Sequence, residues 1–382
     1  MTRLGEAEWA TALLCRAAEA ARAAAGRVEP NPLVGAIALE NGEPVGQGIH
    51  EYWGGPHAEE NALLDARRQG RKPDAMVVTL EPCSSKGGNK KRGPCTQLLL
   101  DAGIRELVLG SLDPDPRHAG AGIEQLRAAG VLVHGPFEIP QVQNLLRRFH
   151  CGLSRKRPWV VLKWAMTLDG KTGTRTGSSR WISGKPARVW AHQMRAECDA
   201  VMVGPGTLVA DDPELTVRHV EGPQALRIAL DPEGLLTPEY RLLQSLDKAP
   251  LLVLRGEDGA SSLPSEVEQE FLPTLASAVG SHRTLDMGAA LELLWKRGIR
   301  RLLVEGGGGL AAQLVEAGLF DAVAVVVAPK LAGGRWARTG LAGLGVADMA
   351  ESLPLEDLRC GQLGEDLLLE AFRHEDEAEA GA

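Results

Sequence analysis

The sequence predicts an α/β protein built as two consecutive layered domains. Three observations carry this. Short apolar runs of strand length alternate with helix-length amphipathic patterns along most of the chain. The alternation is broken once, by a basic stretch that closes on Pro158 (RRFHCGLSRKRP). The length, 382 residues, exceeds what a single core usually organises, since chains beyond ~250–300 residues tend to split into domains.

The opening stretch, MTRLGEAEWATALLCRAAEAARAAAG, reads as an amphipathic helix. With acids at Glu6 and Glu8 and no compact apolar segment before a cleavage site, it does not read as a signal peptide. A strand follows at 33–39 (LVGAIAL), and a helix starts near His57 and runs through AEENALLDARRQ. Next come a strand at 75–80 (AMVVTL), a polar loop at 84–94 and a helix from CTQLLLDAG. A strand at 104–110, a helix around GIEQLRAAG and a strand in VLVHG complete the first domain near Gly135. The stretch 136–158 reads as a helix leading into a linker. In the second domain, strands are expected at 159–166, 200–204, 226–230, 251–254, 301–305, 322–328 and 366–372. Helices are expected at 185–197, 287–298 and 309–317. The predicted division is 1–147, a linker at 148–158, 159–373, and a disordered acidic tail at 374–382.

Charge narrows the partners. Half of the net charge of −8 sits in the tail, which leaves a nearly neutral body. Such a body is poorly suited to hold a phosphate backbone over a long footprint, so nucleic acid is not an expected partner. No stretch reaches the ~18–20 apolar residues of a membrane span. Six cysteines scattered over a long chain fit a reducing cytoplasm better than a disulfide framework.

Three pieces of the first domain combine into a metal site. His57-Ala58-Glu59 opens a helix, Pro82-Cys83 follows a strand, and Pro94-Cys95 opens the next helix. One imidazole and two thiolates give Zn²⁺ three ligands and leave a fourth position for water, as a catalytic site requires. Zinc lowers the pKa of its water toward ~7, and Glu59, outside the coordination shell, would carry the proton. Glu59 and His57 are two apart and can serve one centre only at an irregular first turn. The pattern matches the H-x-E…P-C-x-x-C signature of zinc-dependent base deaminases, although here eleven residues separate Cys83 from Cys95. A structural zinc with His50 as fourth ligand is the alternative. In the second domain, Glu305 and the run Gly306–Gly309 follow a strand and open a helix, a natural phosphate cradle or else only a tight turn.

Several longer motifs carry a family resemblance: PNPLVGAI, GQGIHEYWGGPHAEENAL, VTLEPC and GPC in the first half, then LKWAMTLDGKT, GSSRWIS, RAECDAVMVGPGTLVADDPELTVR and LLVEGGGGLAAQL. The chain resembles, over nearly its whole length and in the same domain order, the bifunctional deaminase–reductases of riboflavin biosynthesis. The resemblance implies a cytidine-deaminase-like α/β/α domain followed by a dihydrofolate-reductase-like α/β domain. It implies zinc-dependent deamination of 2,5-diamino-6-(5-phosphoribosylamino)pyrimidin-4-one, then NADPH reduction of the ribosyl chain to ribityl phosphate.

By motif position, the resemblance implies that His57, Cys83 and Cys95 hold zinc and Glu59 moves the proton, with Asn31 and His50 on the pyrimidine. Ala165, Trp181, Thr207, Asp211, Gly307, Gly308 and Gly309 match NADP contacts, and Ser179, Leu215, Arg218 and Glu305 match substrate contacts. Arg218 suits a phosphate as a planar fork. Lys163 and Asp169 lie in the same motif region, as a strand-edge charge and a turn former; Asp211-Asp212-Pro213 reads equally as a turn. The loop after Cys83 is longer than the family's. In it Lys90 or Lys91 is either a partner for the substrate phosphate or part of a solvated turn. A cytoplasmic homo-oligomer acting on a small molecule is the overall expectation. The rival readings are a deaminase of nucleotides or RNA bases, a binding protein with degenerate sites, and an enzyme active in one half only.

Overall fold

The computed structural model describes residues 7–25, 27–28, 31–84, 93–114, 119–137, 139–257, 263–276 and 283–374. Most of the polar loop at 84–94, with Lys90 and Lys91, and nearly all of the acidic tail lie outside the described residues. The chain divides into two compact units, Met1–Arg155 and Lys156–Ala382.

The first unit is a five-stranded sheet between two helical layers. Its elements are α1 (Ala7–Ala21), β1 (Gly35–Glu40), β2 (Glu43–Ile49), α2 (Ala58–Arg68), β3 (Ala75–Val78), α3 (Cys95–Asp101), β4 (Glu106–Leu109), α4 (Ala121–Ala128), β5 (Leu132–His134) and α5 (Pro140–Arg155). The strand order is β2-β1-β3-β4-β5, with β1 antiparallel to both neighbours and β3, β4 and β5 parallel. Period-two alternation sorts the side chains between the layers. Ile37, Leu39, Val77 and Val108 pack with α1 and α5 on one face. Ala36, Ala38, Met76, Val78, Leu107 and Leu109 pack with α2, α3 and α4 on the other. Helix α5 runs to Arg155, so most of the segment expected as a linker is helical.

The strand β2 is absent from the sequence-based reading because its inward positions are glycines. A Cβ at Gly48 would lie 2.2 Å from the Ala62 nitrogen and 2.3 Å from the Ala58 carbonyl oxygen. Helix α2 therefore lies against bare backbone, and this close approach sets the height at which its first turn, with His57 and Glu59, meets the sheet edge.

The second unit adds β6 (Trp159–Thr167), α6 (Lys185–Ala196), β7 (Ala200–Val203), α7 (Pro205–Asp211), β8 (Leu226–Asp231), β9 (Leu251–Gly256), β10 (Glu268–Leu272), β11 (Thr274–Ala276), β12 (Arg283–Leu285), α8 (Met287–Lys296), β13 (Arg301–Glu305), α9 (Gly308–Glu316), β14 (Ala322–Ala328), β15 (Leu355–Leu363) and β16 (Asp366–Arg373). Its nine-stranded sheet has the order β10-β9-β8-β7-β13-β6-β14-β16-β15, parallel from β10 to β14 and antiparallel at β16 and β15. The central parallel strands β7, β8, β9 and β13 are buried nearly along their whole length, and the sheet forms the main core with α8 and α9. The chain leaves β6, skips one strand position to β7, and later returns to insert β13 between them. Such a reversal opens a crevice at the carboxyl ends of the strands, where ligands bind in open α/β sheets.

Candidate active sites

In the first unit, His57 is the N-cap of α2, with extended backbone (φ −74°, ψ 163°), and Glu59 lies one residue inside the helix. That irregular start lets both side chains serve one centre. Cys83 follows β3, and Cys95 is the first residue of α3. His57 Nδ1 lies 3.2 Å from Cys95 Sγ and 3.8 Å from Cys83 Sγ, and the three ligand atoms fall within 4.8 Å of one another. The backbone N–H of Cys95 donates to Cys83 Sγ at 3.4 Å. One nitrogen and two sulfurs at this spacing suit tetrahedral Zn²⁺ with one open position. Among the described residues this is the only such group of three or more, and His50 is not part of it.

The electrostatics fit a cation. The hydrogen bond with Cys95, helped by His57, holds the Cys83 thiol down at about 3. Its hydrogen bond to Cys83 and burial push Cys95 well up. Two sulfurs this close compete for one proton, and a divalent cation satisfies both. Glu59 is 3% exposed, and burial raises its pKa above the ordinary carboxylate range. Its carboxyl is within hydrogen-bond reach of Cys95 but outside the three-atom group. A carboxyl so placed can both take and return a proton.

His50 Nδ1 faces the Pro56 carbonyl at 2.9 Å, and Nε2 faces Asn31 Nδ2 at 3.0 Å. A carbonyl only accepts and an amide NH₂ only donates, so the ring is neutral, protonated at Nδ1. Burial, with His57 nearby, also lowers its pKa. His50 thereby fixes which way the Asn31 amide points, leaving the Asn31 oxygen for a ligand.

In the second unit, Thr207, Glu305 and the Gly306–Gly309 turn come together where β7 and β13 end. Glu305 closes β13. Burial works against its charge, but Arg195 and Lys163 outweigh it and hold its pKa down to about 2. Arg195 grips it as a fork, through Nε to Oε1 and through Nη2 to Oε2 at 3.1 Å, while Lys163 Nζ lies 3.6 Å from Oε2. Sequence reasoning assigned Arg195 no role, although it lies in a quoted motif; its partner is 110 residues away.

Thr207, in α7, accepts the Gly307 N–H at 2.7 Å and so braces the glycine turn. Gly306 has φ +94°, and a Cβ there would sit 2.4 Å from Thr207 Oγ1, so this position requires glycine. Gly308 and Gly309 open α9, whose first N–H groups are orphan donors, and nothing lies within 4 Å of a Cβ position at Gly309. The turn thus presents backbone N–H donors of the kind that bind a phosphate.

Asp211 accepts from Ser179 Oγ at 2.7 Å, joining two expected contact residues. It ends a helix, α7, where the sequence reads either as an NADP contact or as a turn. Trp181 is 67% exposed, with the Arg188 guanidinium 4.5 Å from its ring centroid. Ala165 pairs with Val326 across β6 and β14. Buried Leu215 sits in the left-handed region at φ +58°. Asp169 is the turn former expected of it. It accepts from the N–H groups of Ala332 and Gly333 and from Thr167, which together hold its pKa down to about 2.

Arg218 Nη1 donates to Thr216 Oγ1 at 2.7 Å and lies 3.2 Å from Glu214 Oε2. Arg241 and Lys248 share that carboxylate at 3.0 and 3.1 Å. Burial, Arg195 and His219 bring His192 down to about 4, so its Nδ1 is free to accept the Arg218 N–H at 3.0 Å.

A zinc-ligand triad beside a buried carboxyl on an α/β/α unit, followed by a mostly parallel sheet with a glycine turn at a helix start, fits a zinc-dependent deaminase joined to a nucleotide-binding α/β domain. Comparison with known proteins agrees. Residues 7–111 match the cytidine and deoxycytidylate deaminase zinc-binding region, and residues 158–369 match the RibD C-terminal domain. The riboflavin biosynthesis protein RibD of Aquifex aeolicus is 37% identical over 90% of this chain and 93% of its own length. That of Escherichia coli is 33% identical over 84% of this chain and 88% of its own. A crystal structure of a diaminohydroxyphosphoribosylaminopyrimidine deaminase/5-amino-6-(5-phosphoribosylamino)uracil reductase from Thermotoga maritima superposes with a TM-score of 0.80 at 32% identity. It covers 96% of this chain and 99% of its own. The chain belongs to the RibD family: it is a bifunctional deaminase–reductase of riboflavin biosynthesis that uses zinc and NADPH. No helix among the described residues is long and apolar enough to cross a membrane.

Proposed function

We propose that the chain deaminates 2,5-diamino-6-(5-phosphoribosylamino)pyrimidin-4-one and then reduces the ribosyl chain of the product to the ribityl phosphate. The observation that carries this reading is the pairing, in one chain, of the His57–Cys83–Cys95 triad beside buried Glu59 with the crevice holding Glu305 and the Gly306–Gly309 turn.

His57, Cys83 and Cys95 would hold zinc, which when bound would supply a water acidic enough to act as a nucleophile at neutral pH. Glu59 carries one proton of that water to the ring nitrogen as the C–O bond forms, then carries the second proton from the attacking oxygen to the amine, so that the C–N bond breaks and ammonia leaves. Asn31, oriented by His50, hydrogen-bonds the pyrimidine edge. In the second site bound NADPH would supply the hydride. The chain seats the cofactor phosphates on Gly307, Gly308 and Gly309, with Ala165, Trp181, Thr207 and Asp211 along its length. Ser179, Leu215, Arg218 and Glu305 hold the phosphorylated sugar so that its C1′ meets the hydride. Arg218, Arg241 and Lys248 share one carboxylate, so the cluster keeps a positive surplus for a phosphate dianion.

Incubation with the diaminopyrimidine phosphoribosyl compound tests both steps by product mass. A gain of about 1 Da without NADPH and a further ~2 Da with it are expected. No gain in zinc-replete protein refutes the first step, and the first gain alone refutes the second. Arg218→Ala is expected to raise the reductase KM at least tenfold with little change in kcat, because a ground-state phosphate contact is lost. An unchanged KM removes Arg218 from the phosphate site.

The enzyme acts in the cytoplasm, where thiolate ligands stay reduced, on a small molecule and not on nucleic acid, as a homo-oligomer. The edge strand β15 and the segment before it expose Leu344, Met349, Leu355 and Leu358, at 75%, 79%, 44% and 67%, a surface that supports self-association. Light scattering is expected to give a multiple of 40.7 kDa, and the Leu355→Glu/Leu358→Glu double variant the monomer mass. A monomeric wild type refutes the assembly.

A further inference from the structure

Glu81, two residues before Cys83, is nearly buried, at 5% exposed. Its Oε2 accepts the N–H groups of Asp113 and Gly120 at 3.2 and 2.9 Å. Its Oε1 accepts those of Gly122 and Ile123 at 2.8 and 3.4 Å. Its own N–H donates to the Ser111 carbonyl at 2.9 Å. One carboxylate thus ties the segment carrying Cys83 to the loop after β4 and to the first turn of α4. The approach is close enough that a Cβ at Gly122 would lie 2.2 Å from the Pro82 carbonyl oxygen. One turn further along α4, Gln125 Oε1 accepts from Thr96 Oγ1 at 2.8 Å. Thr96 adjoins Cys95, and its N–H donates to the Cys83 carbonyl at 3.2 Å.

We infer that α4, which contributes no ligand, sets the spacing of the two zinc thiolates, with Glu81 and Thr96 as positioning residues for Cys83 and Cys95. The inference rests on the reading of His57, Cys83 and Cys95 as the zinc ligands. The physical reason is register. Cys83 and Cys95 stand at the two ends of one connection, Cys83 after β3 and Cys95 as the first residue of α3, and they already meet through the Cys95 and Thr96 N–H groups. A single short helix that grips the residue beside one cysteine and the residue two before the other holds both ends in one frame. A carboxylate is the side chain suited to the task, because it presents acceptors only, against four donors. An amide at the same place must turn its NH₂ toward two of those N–H groups. Metal sites depend on such supporting contacts to orient their ligands, and losing one commonly costs ~10–100-fold in metal affinity.

The test uses the full chain and chelator competition for zinc, with the visible spectrum of the Co²⁺-substituted protein as the report on thiolate geometry. Glu81→Gln is expected to weaken zinc binding ~10–100-fold and to shift the Co²⁺–thiolate bands. Thr96→Val, nearly isosteric, is expected to do the same to a smaller extent, and it decides the matter if Glu81→Gln does not fold. Leu14→Ala, in the core on the opposite face of the sheet with α1 and α5, serves as the comparison for destabilisation alone. Wild-type affinity and spectrum in both Glu81→Gln and Thr96→Val overturn the inference. So does an equal zinc loss in Leu14→Ala at matched loss of stability. Failure of the underlying reading looks different: the wild type itself binds no zinc, or Cys83→Ala binds it as tightly as the wild type.

Discussion

Glu59→Gln is expected to lower the deaminase kcat by ~10²–10⁴-fold, the usual worth of a positioned general acid–base group. It should leave zinc content and reductase activity unchanged. The amide keeps the shape of a buried residue that is 3% exposed, so packing is preserved. What it lacks is a proton to take and return. The carboxyl lies outside the three-atom group of His57, Cys83 and Cys95, so the ligand set survives. Metal analysis together with separate assays of the two half-reactions checks this. Loss of zinc in the variant makes Glu59 a ligand; retained deamination removes it from the proton path.

The second large effect is expected from Glu305→Ala. The substitution leaves Arg195, gripped by both carboxylate oxygens, and Lys163 without their counter-charge in a buried place. Removing one partner of a buried ion pair costs about 3–5 kcal/mol. The second unit should therefore unfold at markedly lower denaturant concentration, and reduction should be lost, while deamination persists. The same pair sets a pH dependence. The Glu305 pKa is depressed from 4.5 to about 2, so the folded state favours the charged form. That stabilisation is fully present above pH ~4.5 and fades as the pH falls toward ~2. Denaturation of the wild type and of Glu305→Gln should converge over that interval. Parallel curves down to pH 2 would show that the pair contributes no such linkage.

How much of this was legible without coordinates can be traced element by element. Strands β1, β3 and β4 announce themselves because each is a short apolar run that serves two covered faces. Strand β2 (EPVGQGI) does not, since its inward residues are glycines whose purpose is the approach of α2. Strand β15 (LEDLRCGQL) carries no pattern because the rest of its unit leaves both its faces largely exposed. Helix α7 hides behind Asp211-Asp212-Pro213, which is locally good turn chemistry.

The sites divide in the same way. The sequence alone determined the zinc chemistry, because the chemistry lies in residue type. His and Cys supply nitrogen and sulfur donors, and the motifs sit at strand and helix junctions that a local pattern reveals. The glycine cradle was readable for the same reason. The grip of Arg195 on Glu305, of Glu81 on the first turn of α4, and of Arg241 and Lys248 on Glu214 was decided only by the tertiary structure. Each joins residues about 30 to 110 positions apart, and a charge on one strand or helix does not reveal which distant backbone or counter-charge the fold will bring to it.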